Sequence, residues 1–213
     1  MSFAEIYDIL MSDIDYEEIY NFIMPYIENK KVLIDAGCGS GYLTTYFAKD
    51  FETIALDIDE DMLALTSQKL MENHLHASLF IHDLNDEITI NADAIVACFD
   101  VLNYFKNPKH VLKNFYQALN KDGVLIFDVY KYEMLEAYQN YDEKEIEPIK
   151  YQWHIDVKNN KLVHQITVDK KIDLIVQYVK QSSYYLKILD NLGFITTIVE
   201  GPDERKLYFI AKK

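Results

Sequence analysis

VLIDAGCGSGYLTTYF, residues 32–47, joins a strand signal to a helix signal through glycine. The apolar, β-branched run stops at Asp35, three glycines fall within positions 37–41, and helical spacing of apolar residues begins at Tyr42. Glycines after a strand let the backbone approach a ligand closely. The helix that follows offers free N–H groups and the positive end of its dipole. A dinucleotide loop reads G-x-G-x-x-G, whereas Gly37, Gly39 and Gly41 alternate, so the third glycine arrives one position early.

The same grammar repeats on either side. ETIALDID, ASLFIHDL, ADAIVACF and GVLIFDVY read as four more strands. Helices are expected over YLTTYFAKD, EDMLALTSQKLMEN and PKHVLKNFYQALN, the last opened by proline and ended before the turn KDG. Nearly all-apolar strands alternating with helices predict a parallel sheet covered on both faces, with five strands complete by residue 130. Two helices precede it, AEIYDILM and DYEEIYNFIMPYI, the second capped by Asp15.

After residue 130 the pattern changes. KYEMLEAYQNYDEKEIEP begins as a helix and becomes an acidic loop, and YQWHIDV, LVHQITV and LIVQYVK are three strands joined by hairpin turns at KNN and DKK. SSYYLKILDNLG restores a helix, with Ser182 or Ser183 as its cap and Gly193 as its stop. FITTIVE and RKLYFIAKK pair antiparallel across the short turn GPDE.

Composition narrows the function. With 213 residues, 50% of them hydrophobic, there is room for one α/β domain with a modest embellishment. The 35 acids against 21 bases give a net charge of −14, the lysines are scattered, and Arg205 is the only arginine. Direct nucleic-acid binding is therefore disfavoured, because phosphate backbones would be repelled. The six histidines and two cysteines form neither HExxH nor CxxC spacing, so no metal site is expected, and the distant Cys38 and Cys98 fit a reducing compartment. The N-terminus lacks a basic-then-apolar leader and no apolar run could span a bilayer, so a cytoplasmic monomer or homodimer with no membrane partner is expected.

VLIDAGCGSG resembles the first motif of class I S-adenosylmethionine-dependent methyltransferases, hydrophobic-Asp-x-Gly-x-Gly-x-Gly. The order of elements is similar over nearly the whole chain, including the antiparallel final hairpin. The expected fold is then α/β: a Rossmann-like, seven-stranded, mostly parallel sheet with an antiparallel last strand, helices on both faces, and a small antiparallel β insertion after strand five. The chain divides into N-terminal helices (1–29), a cofactor-binding core (30–130), the insertion (131–181) and a final helix and hairpin (182–213).

The resemblance implies S-adenosylmethionine as cofactor and assigns residues to it. Asp35, Gly37, Cys38, Gly39 and Gly41 would form the loop, with Asp35 bracing it and Cys38 a small filler rather than a nucleophile. Asp57, about twenty residues beyond the first glycine, is placed to bind the ribose hydroxyls. Ile58 and Met62 would pack on the adenine, with Asp83 near its amino group and the Leu84 N–H at the ring. Backbone carbonyls of Ala97 or Cys98 would receive the methionine ammonium, and Phe99 would wall the sulfonium. DVLNYF, residues 100–105, is also similar to a bacterial subgroup carrying Asp-x-Leu-Asn-Tyr here and a Tyr-Asp pair near the start, matching Tyr7 and Asp8. Tyr7 would then fold over the donor.

The acceptor is less constrained, and a small molecule or a protein group are both open. Asp100, Asn103 and Tyr104 read as a substrate-facing loop, although Asn103 also suits a helix cap and Tyr104 a core position. Candidates to accept a proton are Asp100, Tyr104, Tyr130 and His154. There is no Asn-Pro-Pro-Tyr, which in this superfamily marks planar exocyclic amines, and no Cys-x-Cys for carbon methylation. The aromatic insertion, with the single tryptophan Trp153, suits a lid better than a sheet pairing with a second subunit. An RNA methyltransferase working with a partner and a non-catalytic sensor of the cofactor are the alternatives.

Overall fold

The computed structural model describes residues 1–213. Its first helices are α1 (Phe3–Leu10), closed by a Ser2/Glu5 capping box, and α2 (Tyr16–Ile27), where Asp15 Oδ1 accepts the Glu18 N–H at 2.9 Å. There follow β1 (Val32–Ala36), α3 (Tyr42–Asp50), β2 (Glu52–Asp57), α4 (Glu60–Glu72), β3 (Ser78–Ile81) and β4 (Ala92–Ala97). A 3-10 turn (Val101–Tyr104), α5 (Lys109–Ala118) and β5 (Leu119–Tyr130) complete the alternating part. The chain closes with α7 (Ser182–Leu192), β10 (Ile195–Val199) and β11 (Lys206–Lys212).

These strands form one seven-stranded sheet in the order β10-β11-β5-β4-β1-β2-β3, in which only β11 runs antiparallel to its neighbours. The two-residue period of a strand divides its apolar side chains between two cores. Leu33, Ala94, Val96 and Ile126 pack beneath α2 and α3, with Ile23, Ile27 and Phe47. Ile34, Ile95, Leu125 and Phe127 face the other way, toward Phe115 of α5 and Tyr185 and Leu189 of α7. Phe127 and Phe209, partners across β5 and β11, stack with ring centroids 4.7 Å apart. No helix is long and apolar enough to cross a membrane.

The insertion is a second sheet, in the order β6-β7-β8-β9, reached through the short α6 (Met134–Ala137). Its strands are β6 (Tyr141–Glu145), β7 (Tyr151–Lys158), β8 (Lys161–Val168) and β9 (Lys171–Tyr178). The turns KNN and DKK form as expected, with Asn159, Asn160, Asp169 and Lys170 all at positive φ. Two expectations are corrected. The start of the acidic loop is a strand, β6, because β7 offers it a full antiparallel ladder from Tyr141↔Ile155 to Glu145↔Tyr151. The cap of α7 is Gln181, without a side-chain bond, and both serines lie inside the helix.

Helix α1 is too short to hold itself together in water. It is held by Ile6, buried against Ile166 and Val168 of β8, and by Asp8, whose Oδ1 lies 2.5 Å from Lys69 Nζ of α4. Burial of that isoleucine contributes about 1.5–3 kcal/mol. The helix therefore bridges the core and the insertion, over the carboxyl ends of β1, β2 and β4.

Candidate active site

Strand order reverses beside β1, whose neighbours are β2 on one side and β4 on the other, and the crevice at such a point is where open α/β sheets bind ligands. The glycine loop enters it. Gly37 N–H and Cys38 N–H both donate to the Leu56 carbonyl, at 2.7 and 3.0 Å, fixing the loop to β2. Gly41 has φ +82, and a Cβ there would stand 2.5 Å from Thr66 Cγ2 of α4, so only glycine fits. A Cβ at Gly39 would instead project toward Tyr7, with Tyr7 Cε1 3.9 Å away, and narrow the cavity both residues line.

That cavity, about 480 Å³, collects the predicted donor residues. Tyr7, Asp35, the three loop glycines, Cys38, Asp57, Ile58, Met62, Asp83, Leu84, Cys98 and Phe99 all line it. Asp57 Oδ2 accepts the Gly39 N–H at 2.8 Å and Oδ1 the Asp59 N–H at 3.0 Å. Burial raises its carboxyl above the ordinary range, and those N–H bonds oppose the rise. Asp35 accepts the Thr44 hydroxyl at 2.6 Å and is pushed up to about 7, by burial first and by Asp57 as well, against that hydrogen bond. Asp83 Oδ1 holds the N–H and the side-chain amide of Asn85 at 2.9 and 3.0 Å. Burial, with Asp35 adding to it, drives both cysteine thiols well up, so neither is a ready thiolate.

Several lining or supporting residues carried no expectation. Asn114 of α5 clamps the loop after β3, its Nδ2 donating to the carbonyls of Leu84, Asn85 and Asp86 at 3.0, 2.9 and 2.7 Å. His82, also in the lining, has a buried Nε2 with no partner. No lysine or arginine lines the cavity, while Asp35, Asp57, Asp59 and Asp83 do.

The loop after β4 departs from its expected exposure. Phe99 and Asp100 both take left-handed backbone, at φ 64 and 54, and their N–H groups donate to the two carboxylate oxygens of Asp128 on β5. Asp100 is only 7% exposed, with Lys206 Nζ 2.6 Å from its Oδ1 and the Gln177 amide on its Oδ2. Burial alone would lower the Lys206 ammonium, but Asp100 and Asp128 outweigh it and hold it well above its usual value. Asn103 is fully buried and lines neither cavity: it accepts the Tyr130 N–H at 3.1 Å and donates to the Tyr178 carbonyl at 3.0 Å, stitching core to insertion. Tyr104 remains 44% exposed.

A second cavity, about 660 Å³, lies between core and insertion, and Tyr7, Phe99 and Tyr104 line both cavities where they meet. Asp100 and Tyr130 line the second. His154, expected among the candidate proton acceptors, lines neither cavity. Strand alternation turns His154 outward, with Asp142 and Asp156 at 3.9 and 3.5 Å, while Trp153 faces in. The histidine in the wall is His164 on β8. The signal was present: in LVHQITV, His164 shares its phase with Leu162, Ile166 and Val168, whereas in YQWHIDV His154 shares its phase with Gln152 and Asp156.

A sequence model of the methyltransferase domain family matches residues 34–125. YqeM of Bacillus subtilis, named as a candidate methyltransferase, is 34% identical over 135 residues, 60% of this chain and 54% of that protein. The chain thus spans about half the length of this curated relative. Among solved structures, an S-adenosylmethionine-dependent methyltransferase from Clostridium acetobutylicum superposes with a TM-score of 0.86 at 22% identity, covering 99% of this chain and 97% of that one. The S-adenosylmethionine-bound amino pentose methyltransferase CalS10 from Micromonospora echinaspora gives 0.79 at 15% identity, covering 100% and 98%. The fold is theirs.

Proposed function

We infer that this chain is an S-adenosylmethionine-dependent methyltransferase acting on a small-molecule or protein acceptor, in the cytoplasm and without direct nucleic-acid contact. The observation that carries the reading is the charge of the first cavity. A dinucleotide brings a dianionic pyrophosphate, which a wall of four aspartates without a single lysine or arginine would repel. S-adenosylmethionine brings a sulfonium and an ammonium against one carboxylate, and the same wall attracts its net positive charge.

Its residues divide the work. Asp57 keeps lone pairs free on both oxygens after its two N–H bonds, enough for two ribose hydroxyls. Asp83 has an oxygen without a partner in the chain for an adenine amino group, and Ile58, 66% exposed, and Met62 offer it an apolar bed. Asp35 and the end of β4 at Cys98, both buried in the lining, suit the ammonium. Tyr7 closes the cavity from α1, and Phe99 presents its ring where the two cavities meet. When bound, S-adenosylmethionine would supply an electrophilic methyl group on its sulfonium, with a neutral thioether as the leaving group.

The chain's contribution is alignment and exclusion of water at that junction, since the displacement does not require a fixed base. Asp100 and Tyr104 hold the junction, the first by orienting the loop and the second by facing both cavities. Burial of Asp100 and Asn103 supports placing the chain in the Asp-x-Leu-Asn-Tyr subgroup, because both residues shape the loop that divides donor from acceptor. Calorimetry with S-adenosylmethionine, S-adenosylhomocysteine and NAD tests the reading. Binding of the first two is expected, and NAD binding with no response to either would refute it.

A further inference from the structure

The second cavity has its own chemistry. Eight carboxylates line it against two cations, Arg205 and Lys206. Those two are committed: Lys206 Nζ lies 2.6 Å from Asp100, 3.7 Å from Asp128 and 3.9 Å from Asp203, and Arg205 Nε lies 2.8 Å from Asp203. The remaining carboxylates, on Asp13, Asp15, Glu18, Glu143 and Glu204, have no cation of the chain within salt-bridge distance. Glu143 is instead held by the hydroxyls of Tyr141 and Tyr151. The acids are spread around the wall, and no three are grouped closely enough to hold a metal ion. An organic cation suits this field better than a bare one.

The wall also carries two buried polar atoms without partners, His164 Nε2 and Gln177 Oε1, on residues each 3% exposed. Their hydrogen status follows from their neighbours. Trp153 Nε1–H donates to His164 Nδ1 at 3.1 Å, and an indole N–H can only donate, so the neutral imidazole carries its hydrogen on Nε2. Burial lowers the His164 imidazole, outweighing Asp100 and the neighbouring Gln177 side chain, which raise it, and keeps it neutral. Gln177 spends its amide N–H on Asp100, which leaves its carbonyl as the free end. The cavity thus offers one N–H donor and one carbonyl acceptor, the pair a hydroxyl group satisfies by accepting from one and donating to the other.

We propose that this cavity is the methyl-acceptor site and takes a small hydroxylated amine, its ammonium drawn by Glu143 and the rim carboxylates and a hydroxyl seated at His164 and Gln177. This rests on the methyl-donor reading of the first cavity and specifies the acceptor for it. Anionic acceptors are excluded by the same field, and a neutral polyol would forgo the electrostatic part of the binding energy.

The test is a calorimetric panel on the full chain, run with and without S-adenosylhomocysteine. Three amines (glucosamine, ethanolamine and Tris) are each set against a neutral and an anionic counterpart: glucose and glucuronate, ethylene glycol and glycolate, glycerol and glycerate. At least one amine is expected to bind about tenfold tighter than both its counterparts. Glu143→Gln, which keeps the shape of that side chain and an oxygen to accept one of the two tyrosine hydroxyls, should weaken this amine about fivefold while S-adenosylhomocysteine affinity is unchanged. His164→Phe should weaken it comparably, and supplies a second reading should one variant fold poorly. The proposal is overturned if no amine outranks its counterparts, if an anion binds tightest, or if the amine is indifferent to both substitutions. Failure of S-adenosylhomocysteine to bind would count against the donor reading alone, since the ranking of the amines does not depend on it.

Discussion

Lys206 Nζ lies 2.6 Å from Asp100 Oδ1, a contact between the last strand and the loop after the fourth, with both residues almost out of reach of water. The pair faces two ways. It neutralises part of the acid that shapes the turn at Phe99, and its ammonium stands 5.3 Å over the Phe99 ring that divides the two cavities. Breaking it should therefore be felt in stability and in the site together. Lys206→Met leaves Asp100 and Asp128 buried without their cation and is expected to cost about 3–5 kcal/mol in urea unfolding. A loss within experimental error would show that the ammonium is not needed to hold the loop.

For the donor cavity, Asp57→Ala should weaken S-adenosylhomocysteine binding about tenfold or more, read by calorimetry. The backbone N–H groups of Gly39 and Asp59 lose an acceptor at the same time, so a modest drop in melting temperature is expected as well. Unchanged affinity would remove Asp57 from the site.

Asp35 makes a pH-dependent prediction. Burial raises its carboxyl from 3.8 to about 7 in the folded chain, so the folded state binds the proton more tightly than the unfolded one, and stability falls as pH rises across that window. Asp35→Asn retains an acceptor for Thr44 and removes the titration. The variant should gain about 2 kcal/mol on the wild type between pH 5 and pH 8. A pH-independent difference would contradict the assignment. Because a cationic ligand favours the ionised carboxylate, S-adenosylmethionine affinity of the wild type should also rise over the same interval.

Gly41→Ala meets two obstacles, the left-handed backbone and the Thr66 side chain 2.5 Å from the new Cβ. Thermal unfolding should show a loss of about 2 kcal/mol or more, with weakened donor binding from the displaced loop. A wild-type melting temperature would mean that α4 yields more easily than its packing suggests.

The two histidines of the insertion should behave differently. His154→Ala, on the outer face of β7, is expected to leave stability within about 0.5 kcal/mol of wild type and methyl transfer unaltered. A large loss of turnover would restore His154 as a candidate for the chemistry.

The residues that meet in the first cavity were legible in the chain because their determinants are local. Alternating glycines after a strand, an acid at the end of the next strand and another after the third are fixed by spacing, and a parallel sheet brings such strand ends to one edge whatever the details of packing. The β-hairpin turns at Asn159–Asn160 and Asp169–Lys170 were legible for the same reason. The strand β6 was not, since YDEKE becomes a strand only when β7 supplies a partner for its hydrogen bonds.

The second cavity was decided by tertiary structure. In the sequence Asp128 is a charge inside an apolar strand and Lys206 a basic residue near the end of the chain. Their meeting with Asp100 and Gln177 assembles residues up to 106 positions apart, and no local pattern encodes it. Burial gives the arrangement its force: a charge out of water must find its partner within the fold, so packing converts scattered polar side chains into one site.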